Sequence, residues 1–290
     1  MMSDLKPDEY FDDFPPSAHG SVSAREFFEI YKSAQLLARQ LPKIKGASET
    51  EKISMLTREY KSALPEQRAL FRKASDAKDA LAIYWLAKCR VQAKSALALL
   101  PAKKPFKELS LDDMTQLARL SVDVATLRKL PDLLLEKGIV LAIEPSIPGM
   151  KIDGAAFRLE DGTPVVALSL RHDRLDNFWF TLMHELAHVS LHYARLAEPI
   201  VDDLDDEPTD LFEKQADRRA SDALISRHDW AGSDLRYGRV DEGDIVAAAK
   251  KFGVHPAIVA GRLQRALGNY SLFRDLVSAV SIREVYLREE

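Results

Sequence analysis

The residues most able to do chemistry are His184-Glu185-Leu186-Ala187-His188. On a helix, positions four apart lie about 40° apart around the axis, so both imidazoles face one side. From there they can hold a single zinc ion through neutral ring nitrogens. Glu185 sits on the neighbouring face, within reach of a water on that ion, the position of a general base. By average residue usage the pattern His-Glu-x-x-His turns up by accident in roughly one chain in a hundred of this length. The alternative is a helix with two incidental histidines, and the neighbours decide against it. Phe178, Trp179, Phe180, Leu182, Met183, Leu186, Ala187, Val189 and Leu191 make the segment apolar enough to be buried. A glutamate and two histidines there are costly unless something pairs with them. A metal does.

Catalytic zinc usually takes three protein ligands and keeps a fourth position open. The third can come from His192, Glu213 or one of several loop acids. His192 is four residues past His188 and shares nearly the same face, but one turn further along, which suits packing or support of a ligand better than ligation. Glu213, on a following helix, can be carried to the metal where two helices cross. Asp217 faces the same way as Glu213 and could accept the free N–H of a ligating imidazole, which metal-bound histidine needs to fix its tautomer. The bland reading of Glu213 and Asp217 is a solvated acidic face. With the site complete, zinc would acidify a water and polarise a scissile carbonyl, while Glu185 takes the proton and returns it to the leaving amine. An extended peptide could reach the metal by pairing with a sheet edge.

The elements that must position these residues are mostly helical. Helix spacing runs through Ser23 to Leu100, as in Phe27, Phe28, Tyr31, Leu36 and Leu37 and again in Leu81, Tyr84, Trp85 and Leu86. Gly46-Ala47-Ser48 and Pro65 punctuate it. Ser110 with Asp113 predicts a capped helix to about Leu120, and a second helix is expected over Asp123 to Lys137, ending at Gly138. Ile139–Ile143, Ala155–Leu159 and Val165–Leu170 then read as three strands, the last two joined by the turn Glu160-Asp161-Gly162-Thr163. They predict a small antiparallel sheet. Asp176 or Asn177 could cap the helix running from Phe178 to about Ala194. An acidic loop (202–210), a helix from near Thr209 to Ile225, and three or four short helices over Asp244 to Arg288 follow. The fold class is α+β, mostly helical. The expected organisation is a loosely ordered 1–22, a helical N-terminal domain 23–104, and a metallopeptidase domain 105–290 that begins at the Pro101–Pro105 linker.

The 290 residues are 46% hydrophobic and 30% charged, ordinary for a globular chain. A lone Cys89 rules out an internal disulfide framework and any cysteine-based zinc cluster, and fits a reducing compartment. The acidic start up to Phe14 lacks a secretory pattern, and no apolar run spans a bilayer, so a cytoplasmic protein is expected. A net charge of −4 makes no overall case for nucleic acid. Yet Arg39 to Lys104 holds fifteen Lys/Arg against six Asp/Glu, which reads as a solvated helical surface or as a docking face for an acidic partner.

His184-Glu-Leu-Ala-His188, followed by Glu213-x-x-Ala216-Asp217 leading into Ala220 and Leu224-Ile225, resembles the ImmA/IrrE family of metallopeptidases. Within it, Asp153-Gly-Ala155, Arg171 to Phe180 and His255-Pro-Ala-Ile-Val-Ala-Gly261-Arg-Leu263 are most similar to the peptidase-like half of long HigA-type regulators. The likeness extends from about Phe71 to the C-terminus. It implies Zn2+, with Mn2+ as a second cation, held by His184, His188 and Glu213, and Glu185 as the catalyst. It also implies a protein substrate: a separately encoded helix-turn-helix repressor, in stress response, mobile-element control, or toxin–antitoxin and phage-defence pairs. Two departures stand out. The family's usual Asn after ExxA is Asp217 here, and residues 23–100 show no DNA-binding helix-turn-helix of the kind long HigA-type regulators carry.

Ala249, Gly253 and Val259 do fall at helix-turn-helix spacing. The second helix would offer Ala257, Ile258, Val259, Ala260 and Gly261, which cannot read bases, leaving Arg262 and Arg265 for phosphate. A tight helix corner packed on the peptidase is the favoured reading. Rival functions to a cutting enzyme are a non-cleaving HigA-like regulator or antitoxin that binds a partner or DNA, and a toxin whose harm depends on Glu185.

Overall fold

In a computed structural model the described residues are 24–41, 48–58, 77–100, 102–202, 210–236 and 240–287. Residues 1–22, Gly46-Ala47, Pro65, Pro101, most of the acidic loop and Arg288 lie outside them. Helix α1 (Ala24–Gln40), the helical residues 49–58 and helix α2 (Ala77–Ala98) precede α3 (Leu111–Arg119) and α4 (Leu130–Glu136). Strands β1 (Val140–Ile143), β2 (Gly154–Arg158) and β3 (Pro164–Leu168) come next. They are followed by α5 (Leu175–Leu191), β4 (Ile200–Asp202), α6 (Leu211–Leu224) and α7 (Arg227–Ala231). Helices α8 (Glu242–Phe252), α9 (Pro256–Leu267), α10 (Arg274–Ser278) and α11 (Ile282–Tyr286) close the order. The class is α+β and mostly helical, as read from the sequence.

The sheet is where expectation and structure part. Its strand order is β1-β3-β2-β4, with β1 parallel to β3 and the other pairs antiparallel, so it is mixed and four-stranded rather than antiparallel and three-stranded. The β2–β3 hairpin turns where expected, at Gly162 with φ +84°. β3 then inserts between β2 and β1, and hydrophobic period alone does not specify such pairing. β4 has three residues, too few to show a period.

Both faces of the sheet are covered, and alternate residues divide between them. Val165 and Ala167 of β3, with Ala155 and Phe157 of β2, pack with Ile30, Leu81 and Trp85 of α1 and α2. Val166, Leu168 and Ala156 pack instead with Trp179, Leu182 and Leu186 of α5. Helix α2 is tied to the end of β1, where Trp85 Nε1 donates to the Glu144 carbonyl (2.9 Å) and Gln92 Nε2 to that of Ile143 (3.2 Å). Buried Arg90 lays its guanidinium 4.5 Å from the Phe157 ring centroid. The layers run helix, sheet, helix, with α5 central in the second helical layer.

Several boundaries move for local reasons. The expected 123–137 helix is a 3-10 segment (Val124–Lys129) followed by α4, with Pro131 in the first turn of α4, where its missing N–H costs nothing. Asp123 caps the 3-10 segment through Ala125 N–H. Helix α5 begins at Leu175 and ends at Leu191, three residues earlier than expected at each end. Neither Asp176 nor Asn177 caps it: Arg174 stands at the N-cap, both positions fall inside the first turn, and Asp176 accepts from Arg174 Nε and Nη2 (3.0 and 2.7 Å). Residues 193–195 form a separate 3-10 turn. Helix α6 starts at Leu211, capped by Asp210. The capping box Ser110–Asp113 is present as read.

The α8–α9 corner turns at Gly253 (φ +66°) and packs on α5, with Ala257, Val259, Ala260 and Leu263 buried. The arginines considered for phosphate are otherwise engaged. Arg262 Nη1 donates to the carbonyls of Ser221 and Ile225, closing the end of α6, and its guanidinium lies 4.6 Å from the Trp230 ring centroid. Arg265 lies 4.5 Å over Phe180. Among the described residues no helix is long and apolar enough to cross a membrane.

Candidate metal centre

Helices α5 and α6 cross against one another, and that packing brings the polar residues together. Helix α5 is buried nearly throughout because both sides of it are core: Trp179, Leu182 and Leu186 are fully buried, while His184, Glu185 and His188 have at most 1% exposure. On α6, small residues (Ala216, Ala220, Ala223) face the core and allow close approach to α5. Glu213 and Asp217, one turn apart, project from the same side of α6 toward the histidines.

Three atoms converge. His184 Nε2 lies 3.1 Å from His188 Nε2 and 3.2 Å from Glu213 Oε2, and His188 Nε2 lies 3.4 Å from the same oxygen. Asp217 Oδ1 is 3.0 Å from the other nitrogen of His184, Nδ1. A carboxylate only accepts, so Nδ1 carries the proton and Nε2 presents a bare lone pair. The centre is therefore lined by acceptors facing one another, which is favourable only with a cation or proton among them. Separations of 3.1 to 3.4 Å match the ~3.3 Å edges of a tetrahedron whose bonds are about 2.0–2.1 Å long. The two imidazoles and one carboxylate fit a divalent cation of the zinc type, and His184, His188 and Glu213 could hold it.

His192 does not join the converging atoms. Its Nδ1 lies 3.0 Å from His188 Nδ1 and its Nε2 lies 3.0 Å from Gln215 Oε1. Burial pushes its imidazole below the usual histidine value; the Gln215 hydrogen bond opposes this, and the nearby His188 adds to it. Phe212 meets the His192 ring edge-on at 5.1 Å between centroids, and Arg195 lies 3.8 Å above that Phe212 ring.

Glu185 is fully buried beside strand β2. A Cβ at Gly154 would lie 2.3 Å from Glu185 Oε1 and 2.8 Å from Thr181 Cγ2, so glycine is what lets the strand approach the carboxylate. A cleft opens one turn before Glu185 along α5, lined in part by Asn177 and Thr181 and across from them by Asp153 and Arg171. Arg171 Nε pairs with buried Asp153 at 3.0 Å. Leu170, at the cleft's edge, holds φ +50°, a strained backbone for a leucine. The loop is gripped by Arg283 of α11, which donates to the Leu170 (3.1 Å) and Arg171 (2.6 Å) carbonyls.

Sequence reasoning singled out His184, Glu185, His188, Glu213 and Asp217 from spacing and residue type. It missed Gly154 as a contact of Glu185, although a lone glycine opening a strand is a signal of close approach. Gln215 carried no signal at all. Residues 136–264 match the family model described as the IrrE N-terminal-like domain, Peptidase_M78. That span holds every residue of the centre and is shorter than the stretch from Phe71 onward over which the motifs are similar. No curated protein matches the chain significantly.

Proposed function

With residues 136–264 forming a domain of the ImmA/IrrE family, we propose that the protein is a zinc-dependent peptidase that cuts a protein partner. The observation that carries this reading is the convergence of His184 Nε2, His188 Nε2 and Glu213 Oε2 beside buried Glu185. Zinc held there supplies an acidified water and a Lewis acid for the scissile carbonyl. The remaining work falls to the chain. Glu185 accepts the proton and passes it to the leaving amine, aided by a buried setting in which strand β2 approaches its carboxylate closely at Gly154. Asp217 keeps His184 in the ligating tautomer.

An extended substrate has two sheet edges to choose from, β1 and β4. Side chains of α2 already satisfy carbonyls at the end of β1, and β4 adjoins β2, the strand that touches Glu185. β4 is therefore the edge we assign to the peptide. Thr181, which lines a small cleft, lies one turn before Glu185 on α5.

The partner class follows from the resemblance to ImmA/IrrE proteins: a helix-turn-helix repressor encoded by a separate gene. Purified protein incubated with the helix-turn-helix protein encoded beside it, with Zn2+ or Mn2+, yields a discrete cleavage product. Glu185→Gln removes the product while leaving bound metal in place. An intact partner under metal-loaded conditions overturns the reading and favours the regulator that binds without cutting. Direct DNA binding through the α8–α9 corner is the less favoured route for such a regulator, because Arg262 is engaged with Ser221, Ile225 and Trp230.

A further inference from the structure

Two nitrogens can share a hydrogen bond only when one carries the proton and the other does not, and this makes the contacts behind His188 informative. His188 Nδ1 and His192 Nδ1 are 3.0 Å apart, and His192 Nε2 is 3.0 Å from Gln215 Oε1. Two arrangements of protons satisfy the histidine pair. In the first, His188 Nδ1–H donates to His192 Nδ1, and His192 Nε2–H donates to Gln215. In the second, the direction reverses. His192 Nε2 is then a lone pair facing the Gln215 amide, and His188 carries its proton on Nε2, where Glu213 and His184 converge. That arrangement blocks ligation at His188, so a bound metal requires the first. In the first, the Gln215 amide, its oxygen turned to His192, accepts from His192 Nε2–H and completes the relay.

We propose that Gln215 and His192 are positioning residues that stabilise His188 in the tautomer able to bind metal. Helix α6 then controls both histidines of α5. It supplies a ligand in Glu213, orients His184 directly through Asp217, and orients His188 through His192 by way of Gln215. The residues at alternate positions of Glu213-Lys214-Gln215-Ala216-Asp217 thus have distinct duties toward one centre. His192 is a support for a ligand, not an alternative ligand: its two ring nitrogens are both taken up in the relay. The packing of Phe212 against the His192 ring keeps that imidazole in the plane the relay needs.

This inference rests on the metallopeptidase reading for its purpose, and its test separates the two. Gln215 is exposed, so replacing it leaves the core untouched. Zn2+ affinity is measured by chelator competition on the full chain for wild type, Gln215→Met and Gln215→Glu. The ring tautomers of the Zn2+-loaded proteins are read from imidazole 15N shifts and long-range couplings. Wild type is expected to show His192 protonated at Nε2 and His188 at Nδ1. Gln215→Met should weaken Zn2+ binding by about 10–100-fold. Gln215→Glu, whose oxygens only accept, keeps the wild-type tautomers and binds at least as tightly. The relay is overturned by His192 protonated at Nδ1 in wild type, or by Gln215→Met binding Zn2+ within twofold of wild type. A wild-type protein that takes up no Zn2+ overturns the metallopeptidase reading instead; the relay is then decided in metal-free Gln215→Glu, whose carboxylate only accepts and should hold the proton on His192 Nε2.

Discussion

Asp217 reaches His184 from behind the metal centre, its Oδ1 3.0 Å from the imidazole Nδ1, on the side of the ring opposite the nitrogen that faces Glu213. The two acids lie one helical turn apart on α6, so the same turn that delivers a ligand also delivers the group that orients another ligand. Asp217→Ala is expected to lower metal affinity by roughly 10–100-fold. Asp217→Asn, which keeps an oxygen able to accept the Nδ1 proton, stays within a few-fold of wild type. Chelator competition on the two variants checks this, and equal losses in both would show that charge rather than the hydrogen bond matters.

Gly154 has no room for a side chain. Adding a methyl group would bring it to 2.3 Å from Glu185 Oε1, forcing the strand or the carboxylate to shift. Gly154→Ala should reduce peptide hydrolysis by at least about 10²-fold, the scale of a misplaced general base. It should destabilise the fold by about 1–3 kcal/mol through overpacking. Bound metal remains near one per chain. Activity close to wild type with an unchanged melt would mean that Glu185 is not held where the strand meets it.

Removal of metal tests the acceptor-lined centre thermodynamically. A ligand at a thousand times its dissociation constant adds about 4 kcal/mol to the folded state. EDTA should therefore lower Tm by several degrees in wild type. In Glu213→Gln, where the anionic ligand is lost, the shift should shrink. A wild-type melt indifferent to both EDTA and added Zn2+ would count against the site.

His255 caps α9 by accepting the Ala257 N–H on Nδ1 at 3.1 Å, which requires a neutral ring, and burial holds its pKa below the ordinary histidine value. The unfolded chain then binds this proton more readily than the folded one, so the stabilisation is complete above about pH 6.5 and declines as pH falls below it. His255→Asn keeps a capping oxygen and removes the titration. Denaturant midpoints measured between pH 7.5 and 5 should fall less steeply with acid in the variant than in wild type.

A second acid-sensitive contribution sits at the start of α3. The Lys137 ammonium, together with the Ser110 hydroxyl and N–H, holds the Asp113 carboxyl down at about 2, from an ordinary 3.8. A depressed carboxyl stabilises the fold above its unfolded value, and that contribution is lost as pH falls from about 4 to about 2. Asp113→Asn is expected to cost about 1 kcal/mol near neutrality, the scale of a lost cap. The pair with Lys137 is part-exposed and adds little beyond that. Urea melts at pH 7 and pH 3 should show a smaller difference in the variant.

How much of this was legible beforehand depends on the range over which each feature is determined. His184 and His188 share a face because helical periodicity is local, and the apolar residues around them marked α5 as buried without any knowledge of its neighbours. The capping box at Ser110–Asp113 and the turn at Gly162 are equally local, set within four residues. Glu213 and Asp217 drew attention by type and spacing alone.

What residue types and short-range periodicity could determine was therefore the chemistry on offer: two imidazoles, a neighbouring glutamate and a pair of acids one turn apart. Strand pairing, the insertion of β3 beside β1, the close approach of Gly154 to Glu185, and the line from Gln215 through His192 to His188 all join residues distant in the chain. Those links depend on how helices and strands pack, since hydrogen bonds a few ångströms long are made or lost by small shifts of whole elements. Only the tertiary structure decided them.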